Sequence, residues 1–530
     1  MEIPNFASAL GEMANAIGQP NIVLDDASLQ EYAQNTLGVE RQIMAAVTPG
    51  STGEVQSIVK IANRYLTPLY PISCGRNWGY GSRLPVRDGA VVVDLRRMNR
   101  IRNAFNVADH YAAIEPGVTQ EQLWRALQES HLPLLFNATG AGRETSILGN
   151  SLDRGCGYFA MRPEDLCGLE VVLGTGEILS TGYGHFENAR TTANYKYGLG
   201  PSLDGLFFQS NFGIVTCASL HLHAKRERHV TLLLKLQRDD DLEMFVDLLA
   251  GLRREGVFES VMHIGSRDRI RVTLAPLIYR YLVENGQSPG PELRQKAESL
   301  LAGGKFAAWT GVGGVYGSAG EVDEKLKEMS RRLKDIAVVE AVTGETFAQA
   351  ASSRLTLEER ALLECARPLA DFSSGTPSDG ALLSPLWSVG LSPEEVVNLD
   401  RTPLGLLFCC PALPLSGQSA REGIETAQRV FRLFGFTPYM TLNIVNTKAM
   451  LCVLNLVFDR RSEGHVRSAH QCVEALYNEW ASQGIYPYRL GIQSMGQFVS
   501  DRDPFWQIVK GLKDVFDPNR IIAPGRYNLV

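Results

Sequence analysis

The chain has 530 residues, of which 45% are hydrophobic and 21% are charged, and its formal net charge is −6 at pH 7. A single hydrophobic core rarely serves a chain of this length, so two or more domains are expected. The acidic balance argues against nucleic acid as a partner, because phosphate backbones are bound by basic surfaces. No apolar run approaches the roughly 20 residues that a membrane-spanning helix needs, so no membrane partner is predicted.

The N-terminal segment predicts an amphipathic helix that packs on the body of the protein. It reads MEIPNFASALGEMANAIG, and its Glu2 and Glu12 and the lack of a basic start distinguish it from a secretory signal. The chain contains nine cysteines and no C-x-x-C pair, which is typical of reduced thiols. These features predict a cytoplasmic protein.

Up to about residue 228, short strands alternate with glycine turns. A helix is predicted for STGEVQSIVKIANRY, since Val55, Ile58 and Val59 recur at helical spacing behind a Ser or Thr cap. Strands are predicted for LTPLYPIS, GAVVVDL, HYAAIEPGV and NFGIVTCASLHLHA, and a hairpin for LEVVLGTGEILST. This part of the chain therefore reads as a first domain, residues 1–228.

From about residue 229 to 488, the pattern changes to strands alternating with long amphipathic helices. The strands include VTLLLKL, KFAAWTGV and AMLCVLNLVF, and the helices include DDDLEMFVDLLAGLRREG and HVRSAHQCVEALYNEWASQG. This composition indicates a second, α+β domain over 229–488. The tail, 489–530, is predicted to contain a helix and to return to the first domain.

Two patterns with catalytic associations fail on spacing. WTGVGGVYG has Gly311 and Gly313, but Tyr316 stands where a dinucleotide fingerprint needs its third glycine, so no nicotinamide site is predicted. His221 and His223 are two residues apart in a strand, but no third ligand is near them in sequence. No metal site is predicted.

Glycine-rich loops recur after the strands of the first domain. They are CGRNWGYGS (74–82), EPG (115–117), SILGNSLDRGCGY (146–158) and DGLFFQSNFGIVT (204–216). Glycine lets backbone N–H groups approach a phosphate without a Cβ in the way, so several such loops can converge on one phosphate-bearing ligand. A domain with many tight turns and no ligand gives the same pattern, and spacing alone leaves both interpretations open.

Seven segments, in their order along the chain, resemble the vanillyl-alcohol oxidase and p-cresol methylhydroxylase family of flavoproteins. They are GRNWGYGS, IEPGVT, LGNSLDRGCGY, GLEVVLGTGEILSTG, YGLGPSLDGLFFQSNFGIVT, PYR at 487–489, and DPNRIIAPGRY. The resemblance runs from about residue 48 to the C-terminus. It implies a two-lobed α+β fold, with an FAD-binding domain built from both chain ends (1–228 and 489–530) and an inserted α+β substrate or cap domain (229–488).

The resemblance also implies FAD as the cofactor and assigns residues to it. The matching positions are Gly75, Arg76, Asn77, Gly79, Gly149, Asn150, Asp153, Gly155, Asn211, Gly213, Ile214, Val215 and Arg526. Arg526 matches a basic position near the N1 and O2 edge of the flavin. A cation there stabilises the anionic reduced ring and so favours hydride acceptance.

Members of the family that bind a para-substituted phenol hold its oxygen with two tyrosines and an arginine, which match Tyr80, Tyr488 and Arg489. One cation and two hydroxyl donors favour the ionised phenol, whose pKa in water is about 10 by analogy with tyrosine. The phenolate then pushes electrons through the ring as hydride leaves the benzylic carbon for flavin N5. The product is a p-quinone methide, which adds water or loses a proton to give an alkene.

The sequence departs from the family at the position of the covalent flavin link. Members with such a link use a histidine or tyrosine, and the matching position is Leu406. Leucine cannot form this bond, so a non-covalent FAD and a weaker oxidant are predicted.

Further departures concern the wall opposite the phenolate-binding residues. Leu451 and Cys452 stand where many members carry a His-His pair, and Leu442 stands near the place of an upstream acid. An aspartate near the flavin N5 in some relatives matches Ala141, with Glu144 close in sequence. This wall is therefore expected to be apolar, which favours desaturation over hydroxylation and a role in specialised metabolism.

The sequence thus predicts an FAD-dependent oxidoreductase that oxidises a para-substituted phenol. Two alternatives stay open: an oxidase or dehydrogenase of the same fold that acts on a hydroxy acid or sugar alcohol, and a flavin-binding protein without turnover. The electron acceptor is expected to be oxygen or a separate electron carrier, since no C-x-x-C-H haem motif occurs. The resemblance also suggests a homodimer.

Overall fold

The computed structural model describes residues 6–102, 105–303, 307–352, 354–391 and 398–530. The predicted elements of the first domain are confirmed, including the helix over Thr52–Tyr65, which begins after Ser51 because the Ser51 side chain accepts a hydrogen bond from the Glu54 amide. The helices before residue 228 are α1 (Phe6–Ile17), α2 (Asp26–Ala33), α3 (Thr52–Tyr65), α4 (Gln120–Glu129) and α5 (Ile147–Leu152).

Two four-stranded sheets form the body of this part of the chain. The strands are β1 (Ile22–Val23), β2 (Ile43–Val47), β3 (Leu69–Ile72), β4 (Ala90–Asp94), β5 (Tyr111–Ile114), β6 (Leu134–Leu135), β7 (Leu166–Leu173), β8 (Ile178–Ser180), β9 (Gly213–His221) and β10 (His223–Ala224). One sheet has the order β1-β2-β4-β3 and the other β5-β9-β7-β8, while β6 and β10 pair separately. Strands β2, β3 and β4 run parallel, so the glycine loops that follow β3 open at one edge of their sheet.

An eight-stranded antiparallel sheet with the order β14-β11-β13-β12-β16-β17-β15-β18 forms the second part. Its strands are β11 (Arg228–Leu236), β12 (Met262–Ser266), β13 (Trp309–Gly317), β14 (Ala337–Val342), β15 (Leu404–Pro414), β16 (Tyr439–Ile444), β17 (Ala449–Asp459) and β18 (Tyr486–Arg489). The helices are α6 (Leu242–Arg254), α7 (Arg267–Glu284), α8 (Pro291–Gly303), α9 (Ala319–Leu333), α10 (Gly344–Ser352), α11 (Leu357–Glu364), α12 (Arg367–Ser373), α13 (Gly380–Ser388), α14 (Gly417–Leu433) and α15 (Glu463–Ser482). The segment WTGVGGVYG is an unbroken strand, β13, and contains no phosphate-binding turn.

The two faces of the eight-stranded sheet differ in what covers them. Met262, Leu442, Cys452 and other residues of one face lie in the main hydrophobic core beneath α6, α9, α14 and α15, and we call this side the helix face. The opposite side, the loop face, meets the glycine loops of the first part. Its central residues are His263, Leu406, Phe408, Tyr439, Thr441, Asn443, Leu451, Val453 and Asn455.

The tail after β18 contains α16 (Met495–Phe498) and α17 (Pro504–Phe516) and then returns to the first part. The Leu69 amide donates to the Ile521 carbonyl at 2.7 Å, and the Ala523 amide donates to the Leu69 carbonyl at 2.7 Å. We propose on this basis that 1–228 and 489–530 form one domain and 229–488 the other. Among the helices of the described residues, none combines the length and apolar character required to cross a bilayer.

Candidate active site

The loop after β3 places Tyr80 against the loop face of the large sheet. Gly79 has a φ of +75°, and a Cβ there would lie 2.3 Å from Cδ2 of Phe408, so only glycine fits between the loop and β15. The Gly79 amide donates to Thr36 Oγ1 at 2.8 Å, and the Tyr80 carbonyl accepts from the Ile492 amide at 3.0 Å. Close packing and these hydrogen bonds fix the position of Tyr80.

A cleft, partly open to solvent, extends from this loop between α5 and the start of β9. Eleven of the residues singled out in the sequence line it: Gly75, Arg76, Asn77, Gly149, Asn150, Asp153, Gly213, Ile214, Val215, Arg489 and Arg526. Residues far apart in the chain therefore meet in one cleft.

Three of the residues assigned to the cofactor do not line the cleft but lie behind its walls. A Cβ at Gly155 would lie 1.9 Å from Asn150 Oδ1, so Gly155 leaves room for that side chain. Asn211 is buried, and its Nδ2 donates to the carbonyls of Ala523 and Val530 at 3.2 and 3.1 Å. Asn211 thus ties the C-terminal tail to β9, and Gly79 packs on β15 as described above.

Asp153 joins the two predicted arginines at one end of the cleft. Its Oδ2 accepts from Arg489 Nη2 at 2.5 Å, and its Oδ1 accepts from Arg526 Nη2 at 2.7 Å. Arg489 Nη2 also donates to Asn77 Oδ1 at 2.6 Å. Burial alone would raise the pKa of Asp153, but Arg489 and Arg526 lower it below its usual value, so the three groups carry one net positive charge.

Two polar groups in the cleft are available to a ligand. Arg76 forms no ion pair within the described part of the chain, and burial lowers the pKa of its guanidinium without discharging it at neutral pH. Asn150 Oδ1 is buried and has no hydrogen-bond partner among the described residues. The unpaired cation beside glycine loops fits the diphosphate bridge of a dinucleotide, and the unsatisfied acceptor fits a hydroxyl or N–H group of the same ligand.

Tyr80 lies in an aromatic and cationic environment. Its ring stacks on Phe408 with centroids 5.0 Å apart, and Cζ of Arg489 lies 3.9 Å from its ring centroid. The Tyr80 hydroxyl lies 3.1 Å from Cys410 Sγ. Burial, more than any neighbouring charge, raises the pKa of Tyr80 well above its usual value, so the hydroxyl keeps its proton and can donate it in a hydrogen bond.

Tyr488 completes the predicted group from the adjacent strand β18. It precedes Arg489 in the chain, packs against the apolar cluster of Val261, Val445 and Leu451, and interacts electrostatically with Tyr80. Burial raises its pKa well above the usual value as well. The structure therefore brings Tyr80, Tyr488 and Arg489 together where the cleft meets the loop face.

Two of the three sheet residues assigned to an apolar opposite wall do not lie on it. Leu442 and Cys452 point to the helix face, where both are fully buried in the main core. Successive side chains of a strand alternate between faces, so the neighbouring positions reach the loop face instead. These include Asn443, whose Oδ1 lies 2.8 Å from Nδ1 of His263 on β12.

The other positions at which the sequence departs from the family lie away from the His263–Asn443 pair. Leu451 does reach the loop face, beside Tyr488. Glu144 is exposed, and Ala141 lies in a turn preceding α5. Leu406 is 2% exposed, and its Cγ lies 3.4 Å from the place that a Cβ on Gly79 would occupy.

Comparison with known proteins identifies the fold and the cofactor. Residues 43–182 match the model of an FAD binding domain. The chain is 32% identical to 1'-carboxy-chondrochloren decarboxylase of Chondromyces crocatus, over 98% of this chain and 97% of that protein. It is 28% identical to the 4-cresol dehydrogenase [hydroxylating] flavoprotein subunit of Pseudomonas putida, over 98% of this chain and 95% of that protein.

The structure of 4-ethylphenol oxidase from Gulosibacter chungangensis, solved with isoeugenol, superposes with a TM-score of 0.85 and 26% identity, covering 100% of this chain and 98% of that one. The two-lobed α+β fold is thereby confirmed, and this protein is an FAD-dependent oxidoreductase. The chain belongs to the vanillyl-alcohol oxidase and p-cresol methylhydroxylase family of flavoproteins.

Proposed function

We propose that this enzyme oxidises a para-substituted phenol by removing hydride from its benzylic carbon, giving a p-quinone methide. The observation that carries the proposal is the convergence of Tyr80, Tyr488 and Arg489 at the end of the cofactor cleft. The 4-cresol dehydrogenase and the 4-ethylphenol oxidase are named for phenols with a para substituent, which supports the same substrate class here.

The charge of the site favours binding of a phenolate. Arg489, Arg526 and Asp153 together carry one net positive charge in a buried place, and a phenolate oxygen would neutralise it. Tyr80 and Tyr488 keep their protons because burial raises their pKa values, so both can donate hydrogen bonds to that oxygen. The pKa of the bound phenol would therefore lie well below the value of about 10 that it has in water.

FAD, when bound, supplies the hydride acceptor. We propose that the residues lining the cleft hold it, with Arg76 and the glycine loops at the diphosphate and Arg526 near the flavin ring. The side chain at position 406 is leucine, which offers no atom for a covalent bond, so we propose that FAD is bound non-covalently. Acid precipitation tests this: flavin released into the supernatant supports the proposal, and flavin retained in the pellet contradicts it.

A second reaction is favoured by the relative from Chondromyces crocatus, which is named a decarboxylase. When a carboxylate stands on the carbon next to the benzylic one, hydride loss can be followed by cleavage of the bond to CO2. The electron pair of that bond forms an alkene and returns the quinone methide to a phenolate. Release of one CO2 for each reduced flavin would distinguish this reaction from hydroxylation and from simple desaturation.

Anaerobic titration of the holoenzyme tests the substrate class. We expect 4-alkylphenols to bleach the flavin absorbance, and hydroxy acids and sugar alcohols to leave it unchanged. Bleaching by a hydroxy acid alone would favour the alternative of the same fold. If none of these compounds bleaches the flavin, the enzyme does not oxidise the proposed class of substrates.

The electron acceptor, assembly and location are further proposals. We propose that oxygen or a separate electron carrier reoxidises the enzyme, that it forms a homodimer, and that it acts in the cytoplasm. Reoxidation rates in air-saturated buffer and with an artificial one-electron acceptor separate the first two possibilities. Sedimentation of the holoenzyme determines whether it is a dimer.

A further inference from the structure

Arg269 is a buried cation at the edge of the loop face. It stands in the first turn of α7, which directly follows β12, and its amide donates to the capping Ser266 Oγ at 3.3 Å. Its Nη1 donates to Ser384 Oγ on α13 at 2.9 Å. Tyr158 and Tyr439 lie close enough to Arg269 to influence its pKa. The guanidinium therefore lies between α7, α13 and the loop face.

Arg269 has no acidic partner within the described part of the chain, and its Nε and Nη2 make no hydrogen bond there. Burial lowers its pKa to about 10, so it stays charged at neutral pH. Its side chain nevertheless keeps some accessible surface. A side chain that lies deep within the protein and still keeps accessible surface faces an internal space rather than bulk water.

The placement of this charge is unfavourable without a ligand. A cation in the first turn of a helix opposes the positive end of the helix dipole. A buried charge without a partner also pays a desolvation cost that no ion pair offsets. An anion in the internal space would be stabilised by the guanidinium, by Ser384 and by the N-terminus of α7 together.

We propose that Arg269 binds a carboxylate on the para substituent of the substrate, so that the substrate is held by an anion-binding group at each end. The inference rests on the proposed phenol chemistry and narrows it to phenolic acids. Ser384 accepts the hydrogen bond that orients the guanidinium, and Tyr439 of β16 interacts electrostatically with it.

The register of the sheet gives the spacing between Phe408, which stacks on Tyr80, and Tyr439, which interacts with Arg269. The Tyr80 ring stacks on Phe408 of β15. Phe408 pairs with Asn455 on β17, and Asn455 pairs with Tyr439 on β16. Neighbouring strands lie about 4.8 Å apart, so Tyr439 lies roughly 10 Å from Phe408. This distance fits a phenol whose substituent is several atoms long and ends in a carboxylate.

The test uses anaerobic flavin reduction by 4-hydroxyphenylalkanoates of increasing chain length and by their primary amides. The wild-type holoenzyme should prefer one acid over its matched amide. In Arg269→Met, kcat/KM for that acid should fall roughly 30-fold or more, the usual effect of removing one partner of a buried charge pair, and kcat/KM for the amide should stay within about threefold. Arg269→Lys, which keeps the charge, should recover part of the preference.

Arg271→Met is the matched control, since Arg271 is on the same helix but is half exposed, with only a 3.9 Å contact to Asp268. It should leave the preference intact. Equal use of acid and amide by the wild-type enzyme, or equal loss of both in Arg269→Met, would overturn the inference and leave the phenol chemistry standing. If neither series bleaches the flavin while a 4-alkylphenol does, this inference is wrong and the phenol chemistry stands. If the 4-alkylphenol also leaves the flavin oxidised, the proposed function itself is wrong.

Discussion

The two faces of the eight-stranded sheet use the same strands for different purposes. On the helix face, Leu442 and Cys452 are fully buried among the side chains of the main core. On the loop face, one position away along the same strands, Asn443 contacts His263, and Val453 is only partly buried. The core that stabilises the fold thus lies on one side and the proposed chemistry on the other, because successive side chains of a strand point to opposite faces.

This difference explains how an enzyme can change its substrate without losing its fold. Substitutions on the loop face, such as at Leu451, alter a wall beside Tyr488 that is covered by loops of the first part. Substitutions on the helix face, such as at Leu442, remove contacts from a core shared with α6, α14 and α15. Four predictions test this separation, beginning with the largest expected effect.

Replacement of Arg489 by Met should slow flavin reduction by a 4-alkylphenol about 1000-fold, comparable to the loss of a group that stabilises developing charge. The guanidinium would no longer face the phenolate, and Arg526 would be the one cation left beside Asp153 among the residues that the structure describes. Stopped-flow measurement of bleaching, normalised to bound FAD, gives the rate. A decrease smaller than tenfold would mean that Arg489 does not hold the substrate.

Replacement of Leu442 by Ala should lower the free energy of unfolding by about 3 kcal/mol, as for other fully buried leucines. The rate of flavin reduction per bound FAD should not change. Urea denaturation and stopped-flow kinetics measure the two quantities. Leu451→Ala is the matched variant on the loop face, and it should change the relative KM values of different phenols. The reverse pattern would break the separation between the faces.

The loop face should also make stability depend on pH. Burial lowers the pKa of His263 to about 4, whereas in the unfolded chain it is about 6.5. Between these values the unfolded state binds more protons, so the free energy of unfolding should fall as the pH drops from 6.5 towards 4, by at most about 3 kcal/mol from this residue.

His263→Gln should show a smaller decrease over the same pH range, measured by urea unfolding at several pH values. His229 also has a pKa lowered to about 4 by burial, and it should account for much of the dependence that remains. An identical pH dependence in the variant and the wild type would show that His263 is not buried in its neutral form.

Replacement of Tyr80 by Phe should have the smallest effect of the four, about 10- to 100-fold on flavin reduction, since one hydrogen bond to a charged oxygen is lost. The ring would still stack on Phe408 and still lie under Arg489. The unfolding midpoint should therefore change little. A full loss of FAD in this variant would indicate that Tyr80 supports the cofactor rather than the substrate.

Most elements of the fold could be predicted from local signals in the sequence, whereas the residues of the cofactor cleft were predicted from the resemblance to the family. The glycine loops follow strands, and two of the family motifs, GRNWGYGS and PYR, contain Tyr80, Tyr488 and Arg489. The wall opposite them could not be predicted, because it depends on which of two adjacent residues points inward. His263 and Asn443 are 180 positions apart and meet only through the pairing of β12 with β16.

A weaker signal was nevertheless present. In YMTLNI, the polar Thr441 and Asn443 alternate with Met440, Leu442 and Ile444, which is the pattern of a strand with one core face and one polar face. Matching to family positions without gaps selected Leu442 and missed its neighbours. Arg269 gave no signal at all, since an arginine in the first turn of a helix is ordinarily exposed to solvent.

The measurement that tests the central claim most directly is anaerobic reduction of the holoenzyme by a 4-alkylphenol deuterated at its benzylic carbon. Hydride removal from that carbon, with the phenolate held by Tyr80, Tyr488 and Arg489, predicts that the flavin bleaches and that deuterium slows the bleaching severalfold. A flavin that stays oxidised, or that bleaches at the same rate with both isotopes under single-turnover conditions, would contradict it.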